Sequence, residues 1–306
     1  MRIGNLDGRL VISTAGGVLD VERGSGGRFG SDPAGIYDRW AEFIAWAAEA
    51  GAAETGAAET GAAGTGTAES GAGAGQLEVE PFDVALLDAP SPAPRQSFGI
   101  GLNYRDHVSE SGFDVPEHPS VFTKFPSCIT GPHGEIELPP GGHTDWEVEL
   151  VAVIGARAYQ VAAEDAWSYV AGLTVGQDVS ERITQLAGTP PQFSVGKSFP
   201  RFGPTGPWLV TVDEFADPDD LELGCAINGE QMQKSRTSYL LIPVPQLIAK
   251  LSAVLTLLPG DVIFTGTPAG VGMGRSPQRW LAAGDELVSW VEGIGEMRHR
   301  FVSLSA

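Results

Sequence analysis

The chain has 306 residues, 42% of them hydrophobic, which is enough for one large domain or two modest ones with a core that needs no staples. Acidic residues outnumber basic ones 39 to 19, so the long-range field opposes nucleic acid and anionic membrane surfaces as partners. No apolar run approaches a membrane span, residues 1–14 lack the pattern of a secretory signal, and Cys128 and Cys225 have no motif around them, so a cytoplasmic protein with reduced thiols is expected.

In chain order, residues 1 to 24 suit a hairpin, with RLVIST and LDVER as strands around the turn material AGGV. YDRWAEFIAWAAEA, residues 37–50, places Trp40, Phe43, Ile44 and Ala47 at helical spacing and predicts one amphipathic helix. Residues 51–75 carry a five-residue quasi-repeat, GAAET, with no aromatic or branched aliphatic residue, and predict a flexible inserted loop that cannot offset its ordering entropy. VALLDAP at 84–90 reads as a strand before a proline-rich turn. Beyond Phe98 strands dominate: FGIGLN, SVFTKF, EIELPP, WEVELVAVIG, YVAGLTVGQDV, GPWLVTV, LELGCAING, DVIFTGTP and DELVSWVEG. VPQLIAKLSAV predicts a helix and AEDAWSYVA a shorter one. The fold class is α+β and β-rich, its sheets folded against each other to bury runs such as VAVIG. A small N-terminal domain over 1–94, holding the insertion, precedes a larger β-rich domain over 95–306.

HTDWEVELVAVIG, residues 143–155, sets Asp145, Glu147 and Glu149 at alternate positions, so an extended strand projects all three from one face. Three like charges in register need either water or a cation among them. The apolar run that follows argues that the strand enters the core, which favours the cation. To Glu147 and Glu149, Asp178, where GLTVGQDVSER breaks from apolar to polar, adds a third candidate ligand at a strand end. Carboxylates completed by water suit Mg²⁺ or Mn²⁺, with Ca²⁺ served by the same oxygen donors, while sulfur and imidazole ligands for Zn²⁺ are missing from these motifs.

In GIGLNYRDHVSESG, His107 and Glu110 stand three apart, close enough on one helical turn for the carboxylate to orient the imidazole as a base. A solvated surface pair is the alternative, but flanking glycines suggest a short helix in a mobile lid. Lys197, among glycines and aromatics, and Lys124, between strand formers, are either exposed stems or buried cations facing an anion. FTGTPAGVGMGR could present backbone N–H groups and the Thr267 hydroxyl to a carboxylate; it fits neither a phosphate loop nor a dinucleotide fingerprint.

Taken together and in order, GLNYRDHVSESG, TDWEVELVAVIG, GQDVSER, GKSFPRFGPTGPWLVT and GDVIFTGTPAGVGMGR resemble the signature segments of the fumarylacetoacetate hydrolase family, over residues 97–303. The resemblance implies a catalytic domain built as a rolled mixed β-sandwich, paired into a homodimer. It makes Glu147, Glu149 and Asp178 the ligands of a divalent ion, Asp145 an acid behind them, and His107 with Glu110 the water-activating dyad. Lys197 becomes the active-site lysine, Gln185 and Thr267 substrate contacts, and Lys124 a further lysine near the substrate. Ile183 stands where the family often has aspartate after Arg182, and Phe193 follows Gln192 where tryptophan is usual, which bears on substrate identity more than on the metal. The activity implied is metal-dependent hydrolysis of a carbon–carbon bond in a 2,4-diketo acid, an acylpyruvate, giving pyruvate or a related keto acid and a carboxylic acid. Decarboxylation of a β-keto acid and isomerisation of an unsaturated keto acid use the same enolate and are the alternatives.

Overall fold

A computed structural model describes residues 1–59, 79–111, 114 and 118–304. The N-terminal region forms three antiparallel strands, β1 (Arg2–Leu6), β2 (Arg9–Thr14) and β3 (Gly17–Asp20), one more than the hairpin expected. A 3₁₀ turn over Pro33–Arg39, capped by Asp32, leads into α1 (Trp40–Glu59), so the predicted helix starts later than expected and runs further. Its extension corrects part of the reading of 51–75: alanine and glutamate carry residues 51–59 as helix, and residues 60–75 lie outside the described residues. VALLDAP is likewise corrected, to a 3₁₀ turn over Val84–Leu86 capped by Asp83 and a two-residue strand, Leu87–Asp88, paired with β1.

The remaining strands of three residues or more are β4 (Ser97–Gly101), β5 (Ser120–Thr123), β6 (His133–Leu138), β7 (Val148–Ile154), β8 (Val170–Gln177), β9 (Gly203–Val210), β10 (Glu222–Ile227), β11 (Glu230–Arg236), β12 (Val262–Phe264), β13 (Glu286–Val291) and β14 (Gly295–Ser303). All nine predicted strands beyond Phe98 are present. Both β11 and β14 are additional: EQMQKSR and GEMRHRFVS are too polar to read as strands alone, and each is stabilised by pairing with an apolar neighbour, β10 and β13 respectively. Short helices α2 (Arg105–Ser111), α3 (Arg182–Gln185) and α4 (Phe193–Gly196) follow strands β4 and β8, and α5 (Val244–Ser252) is the amphipathic helix expected at VPQLIAKLSAV. AEDAWSYVA forms a 3₁₀ helix over Ala163–Tyr169.

Two sheets face each other. The twelve-stranded one runs Val79–Glu80, β3, β2, β1, β9, β8, β7, β12, β4, β5, with Leu87–Asp88 paired beside β1 and Ile129–Thr130 beside β9, so β1 hydrogen-bonds to β9 and the N-terminal strands continue the sheet that holds the acidic strand. The other, of five strands, runs β11, β10, β13, β14, β6.

Strand β7 lies inside the sheet between β8 and β12, and all seven of its residues are buried. Its two faces feed different cores. Val148, Leu150, Ala152 and Ile154, with Trp146 before them, pack into the large core between the sheets; Val151 and Val153 pack with Phe29, Phe43 and Leu209 on the other side. Glu147 and Glu149 share the second parity, so the face that takes N-terminal side chains further along carries carboxylates at its start.

Candidate active site

Two devices bring the acids together. The Asp178 backbone N–H donates to the Glu147 carbonyl at 2.9 Å, setting the end of β8 opposite the start of β7. Gln177 completes that junction: its Oε1 accepts from the Glu147 N–H at 2.8 Å and its Nε2 donates to Ser289 on β13 at 2.9 Å. One carboxylate oxygen from each of Glu147, Glu149 and Asp178 then falls within 4.8 Å of the others, and all three residues are buried. Asp145 leaves this group. Its oxygens accept from Gly272 N at 2.6 Å, Met273 N at 3.0 Å and the Arg182 fork at 2.9 and 2.7 Å, so it anchors the glycine-rich segment and an arginine behind the triad.

Three buried cations face these four carboxylates. Lys197 Nζ bridges Glu147 Oε2 at 2.8 Å and Asp178 Oδ2 at 2.6 Å. Arg182 holds Glu147 Oε1 at 2.7 Å and donates to Gln185 Oε1 at 2.8 Å. Lys124 stands where the expectation did not put it. Its Nζ donates to Asp178 Oδ1 at 2.6 Å, to the Phe202 carbonyl at 3.0 Å and to the Lys197 carbonyl, which commits all three N–H groups. With no donor left and no place on the cavity wall, Lys124 supports the aspartate and the lysine loop instead of reaching a substrate.

The turns that deliver these groups are locally encoded. The Glu181 side chain caps α3 by accepting from Ile183 and Thr184 N–H, and Gln192 caps α4 through Ser194 N–H. A Cβ at Gly196 would lie 2.4 Å from Gln185 N, so only glycine lets α3 and α4 pack closely enough to set Gln185 and Lys197 side by side.

Electrostatics divides the two glutamates. Burial pushes Glu147 up, but Lys197 and Arg182 outweigh it and hold its carboxyl at about 2. Glu149 is pushed well above the usual carboxylate range by burial and then by Asp178 and Glu147; the Gly266 N–H, 2.6 Å from Oε2, only partly offsets this. Burial lowers Lys197, yet Asp178 and Glu147 raise it overall. Glu149 therefore holds its proton more tightly than an ordinary carboxyl does, and a cation among the acids would compete for that place.

His107 and Glu110 sit on α2, with Nδ1 and Oε2 3.5 Å apart, the outer limit of a hydrogen bond. Both Glu110 oxygens accept from Gly270 N–H, at 3.1 and 3.0 Å, which docks the helix against the glycine-rich segment. His107, Glu147, Arg182, Gln185, Lys197 and Thr267 all line one cavity with about 460 Å³ of open space, mouth included. The Thr267 hydroxyl donates to the Val148 carbonyl at 2.9 Å and accepts from Gln233 Nε2 at 2.8 Å. Its proton is thus spent within the protein.

Arg182 and Tyr104 were not singled out from sequence. Arg182 is separated by 37 positions from its Asp145 partner, and no local pattern reports such a pair. Tyr104, fully buried, has a hydroxyl without a hydrogen-bond partner, and its pKa is raised by burial and by the Glu149 charge. An orphan of that kind near Glu149 fits a hydrated hard cation, as does the triad itself: its donors are all oxygen, and no thiolate or imidazole belongs to the cluster.

The family model for the fumarylacetoacetate (FAA) hydrolase C-terminal region matches residues 96–302. This chain is a member of the fumarylacetoacetate hydrolase family. The mitochondrial oxaloacetate tautomerase FAHD2A of Bos taurus is 44% identical over 230 residues, 75% of this chain and 73% of the relative. A crystal structure from Mycobacterium smegmatis is 50% identical with a TM-score of 0.87 over the whole of both chains. The 2-hydroxyhepta-2,4-diene-1,7-dioate isomerase of Mycobacterium marinum is 36% identical, with a TM-score of 0.63 over 72% of this chain and 79% of its own. The maleylpyruvate hydrolase of Sphingobium sp. SYK-6, solved with manganese(II) and pyruvate, is 27% identical with a TM-score of 0.76 over 99% of each chain. The fumarylacetoacetate hydrolase fold and family are thereby established for this chain, and its relatives include a hydrolase, an isomerase and a tautomerase.

Proposed function

We propose that this family member hydrolyses a carbon–carbon bond in a 2,4-diketo acid of the acylpyruvate type, with Mg²⁺ or Mn²⁺ held by Glu147, Glu149 and Asp178. The observation that carries the reading is that His107, an imidazole with its own carboxylate in Glu110, lines the same cavity as Glu147 of the triad. A bound divalent ion supplies Lewis acidity toward the keto-acid oxygens.

The protein groups do the rest. Glu110, fixed by the Gly270 N–H, accepts from Nδ1–H and leaves Nε2 of His107 free to take a proton from water. The water oxygen bonds to the C4 carbonyl carbon, the C3–C4 bond breaks, and its electron pair passes to C3 as the enolate of pyruvate. The proton held by His107 returns to that product, and the acyl part leaves as a carboxylic acid. Lys197 has spent two of its three N–H groups on Glu147 and Asp178, and the third is available to an oxygen on which negative charge builds.

A second reading is supported by the 44% identity to an oxaloacetate tautomerase: the same imidazole would move a proton between C3 and the enol oxygen with no water consumed. Turnover of acetylpyruvate in ¹⁸O-labelled water separates the two. Hydrolysis puts one ¹⁸O into the acetate and is abolished by His107→Ala; if no acetate forms while enol-oxaloacetate is converted rapidly, the tautomerase reading replaces it.

A further inference from the structure

The acid-bearing end of β7 outruns its neighbour. Pairing with β12 begins at Val151 opposite Phe264, so on that edge the backbone of Val148, the residue between Glu147 and Glu149, meets no strand. Two side chains take the strand's place. Gln233 Oε1 accepts from the Val148 N–H at 3.0 Å, the Thr267 hydroxyl donates to the Val148 carbonyl at 2.9 Å, and Gln233 Nε2 donates to the Thr267 oxygen at 2.8 Å, which closes a ring. Gln233 Nε2 also donates to the Pro268 carbonyl at 2.7 Å, and Oε1 accepts from the Cys225 thiol at 3.3 Å. A backbone N–H only donates and a carbonyl only accepts, so this amide has a single orientation, with both donors and both acceptor positions in use.

The clamp reaches across from the facing sheet. Gln233 lies on β11, the edge strand of the five-stranded sheet, and is 1% exposed. The same strand backs the glycine-rich segment: a Cβ at Gly270 would lie 2.2 Å from the Met232 carbonyl, and the Gly270 N–H is the group that holds Glu110. One buried amide thus joins the second sheet to the strand of the glutamates and to the segment on which the dyad docks.

We infer that Gln233 is a positioning residue for the metal site, standing in for a neighbouring strand at Val148 so that Glu147 and Glu149 keep the spacing one ion requires. This rests on the reading of Glu147, Glu149 and Asp178 as metal ligands and adds to it the group that fixes their strand. Among the described residues Gln233 bonds to neither glutamate carboxylate, so its effect passes through the backbone. Without it the Val148 N–H is buried and unpaired, and the strand end relieves that cost by shifting, carrying a carboxylate on either side with it.

The test is calorimetric titration of the full chain with Mn²⁺, with melting temperatures recorded in the absence of metal. Gln233→Met, similar in volume but without the amide, should weaken Mn²⁺ binding about tenfold, the low end of the range for groups that hold ligands from behind. Thr267→Val should do the same, while Thr267→Ser, which keeps the hydroxyl, should bind as the unaltered protein does. Ile136→Val, fully buried on β6 at the opposite edge of the same sheet, is the control: its melting temperature should fall with Mn²⁺ affinity unchanged. Undiminished binding by Gln233→Met, or equal weakening by Ile136→Val, would overturn the inference and leave the ligand assignment intact. Should Gln233→Met fail to fold, the Thr267 pair decides: equal affinities overturn the clamp, and loss in the valine variant alone upholds it. No Mn²⁺ binding by the unaltered protein would overturn the ligand assignment and the inference together.

Discussion

Glu149 is the residue on which metal and proton compete. Its carboxyl is raised well above the usual carboxylate range by burial and by two neighbouring acids, so the folded, metal-free protein binds this proton more tightly than the unfolded chain does. Because the folded value is the higher one, the stability this group contributes is fully present below pH 4.5 and is lost as pH rises through the folded value. A divalent ion reverses the balance by displacing that proton. Calorimetric titration with Mn²⁺ in two buffers of different ionisation enthalpy should therefore report net proton release, and affinity should weaken as pH falls toward 4.5. Heat signals that are identical in both buffers would show that Glu149 is already ionised. The alternation of Glu147 and Glu149 was legible in sequence because a strand's period is short and local. The unlike behaviour of the two was not, since it depends on Lys197 and Arg182 lying against one and not the other.

At the scale of elements, catalytic geometry depends on how α2 docks. A Cβ at Gly274 would lie 2.2 to 2.4 Å from the Glu110 side chain, which would have to give up its place on the Gly270 N–H to make room. Gly274→Ala should accordingly displace Glu110 from His107 while leaving the fold alone. Turnover is expected to fall on the order of ten- to hundredfold with the melting temperature unchanged. Equal loss of both would instead assign Glu110 a structural role. The sequence placed a His-x-x-Glu pair on a helical turn, which i, i+3 spacing is able to report. It could not report that the pair is fastened by a backbone N–H 160 residues away.

For the whole molecule, Phe125, Ile183 and Val195 are about half exposed on neighbouring elements, after β5 and on α3 and α4. Apolar side chains gathered beside a site in this way suit a self-complementary contact, and a homodimer is the assembly proposed. Sedimentation should give twice the chain mass, and the double variant Phe125→Glu, Val195→Glu should give the monomer. A monomeric native protein would leave that surface without a role in assembly.

The sequence by itself determined the α+β class, the apolar strands of both sheets, the acid-bearing face of β7, and the order of motifs that identifies the family. Each of these rests on residues close together along the chain, where periodicity and capping act. Only the tertiary structure decided that β1 extends the sheet beside β9, that polar segments such as GEMRHRFVS are strands, that Lys124 lies behind Asp178, and that Asp145 grips Arg182. Those arrangements join groups tens to hundreds of positions apart. Their energies come from burial and charge pairing in a low-dielectric interior, which exists only once the chain has folded.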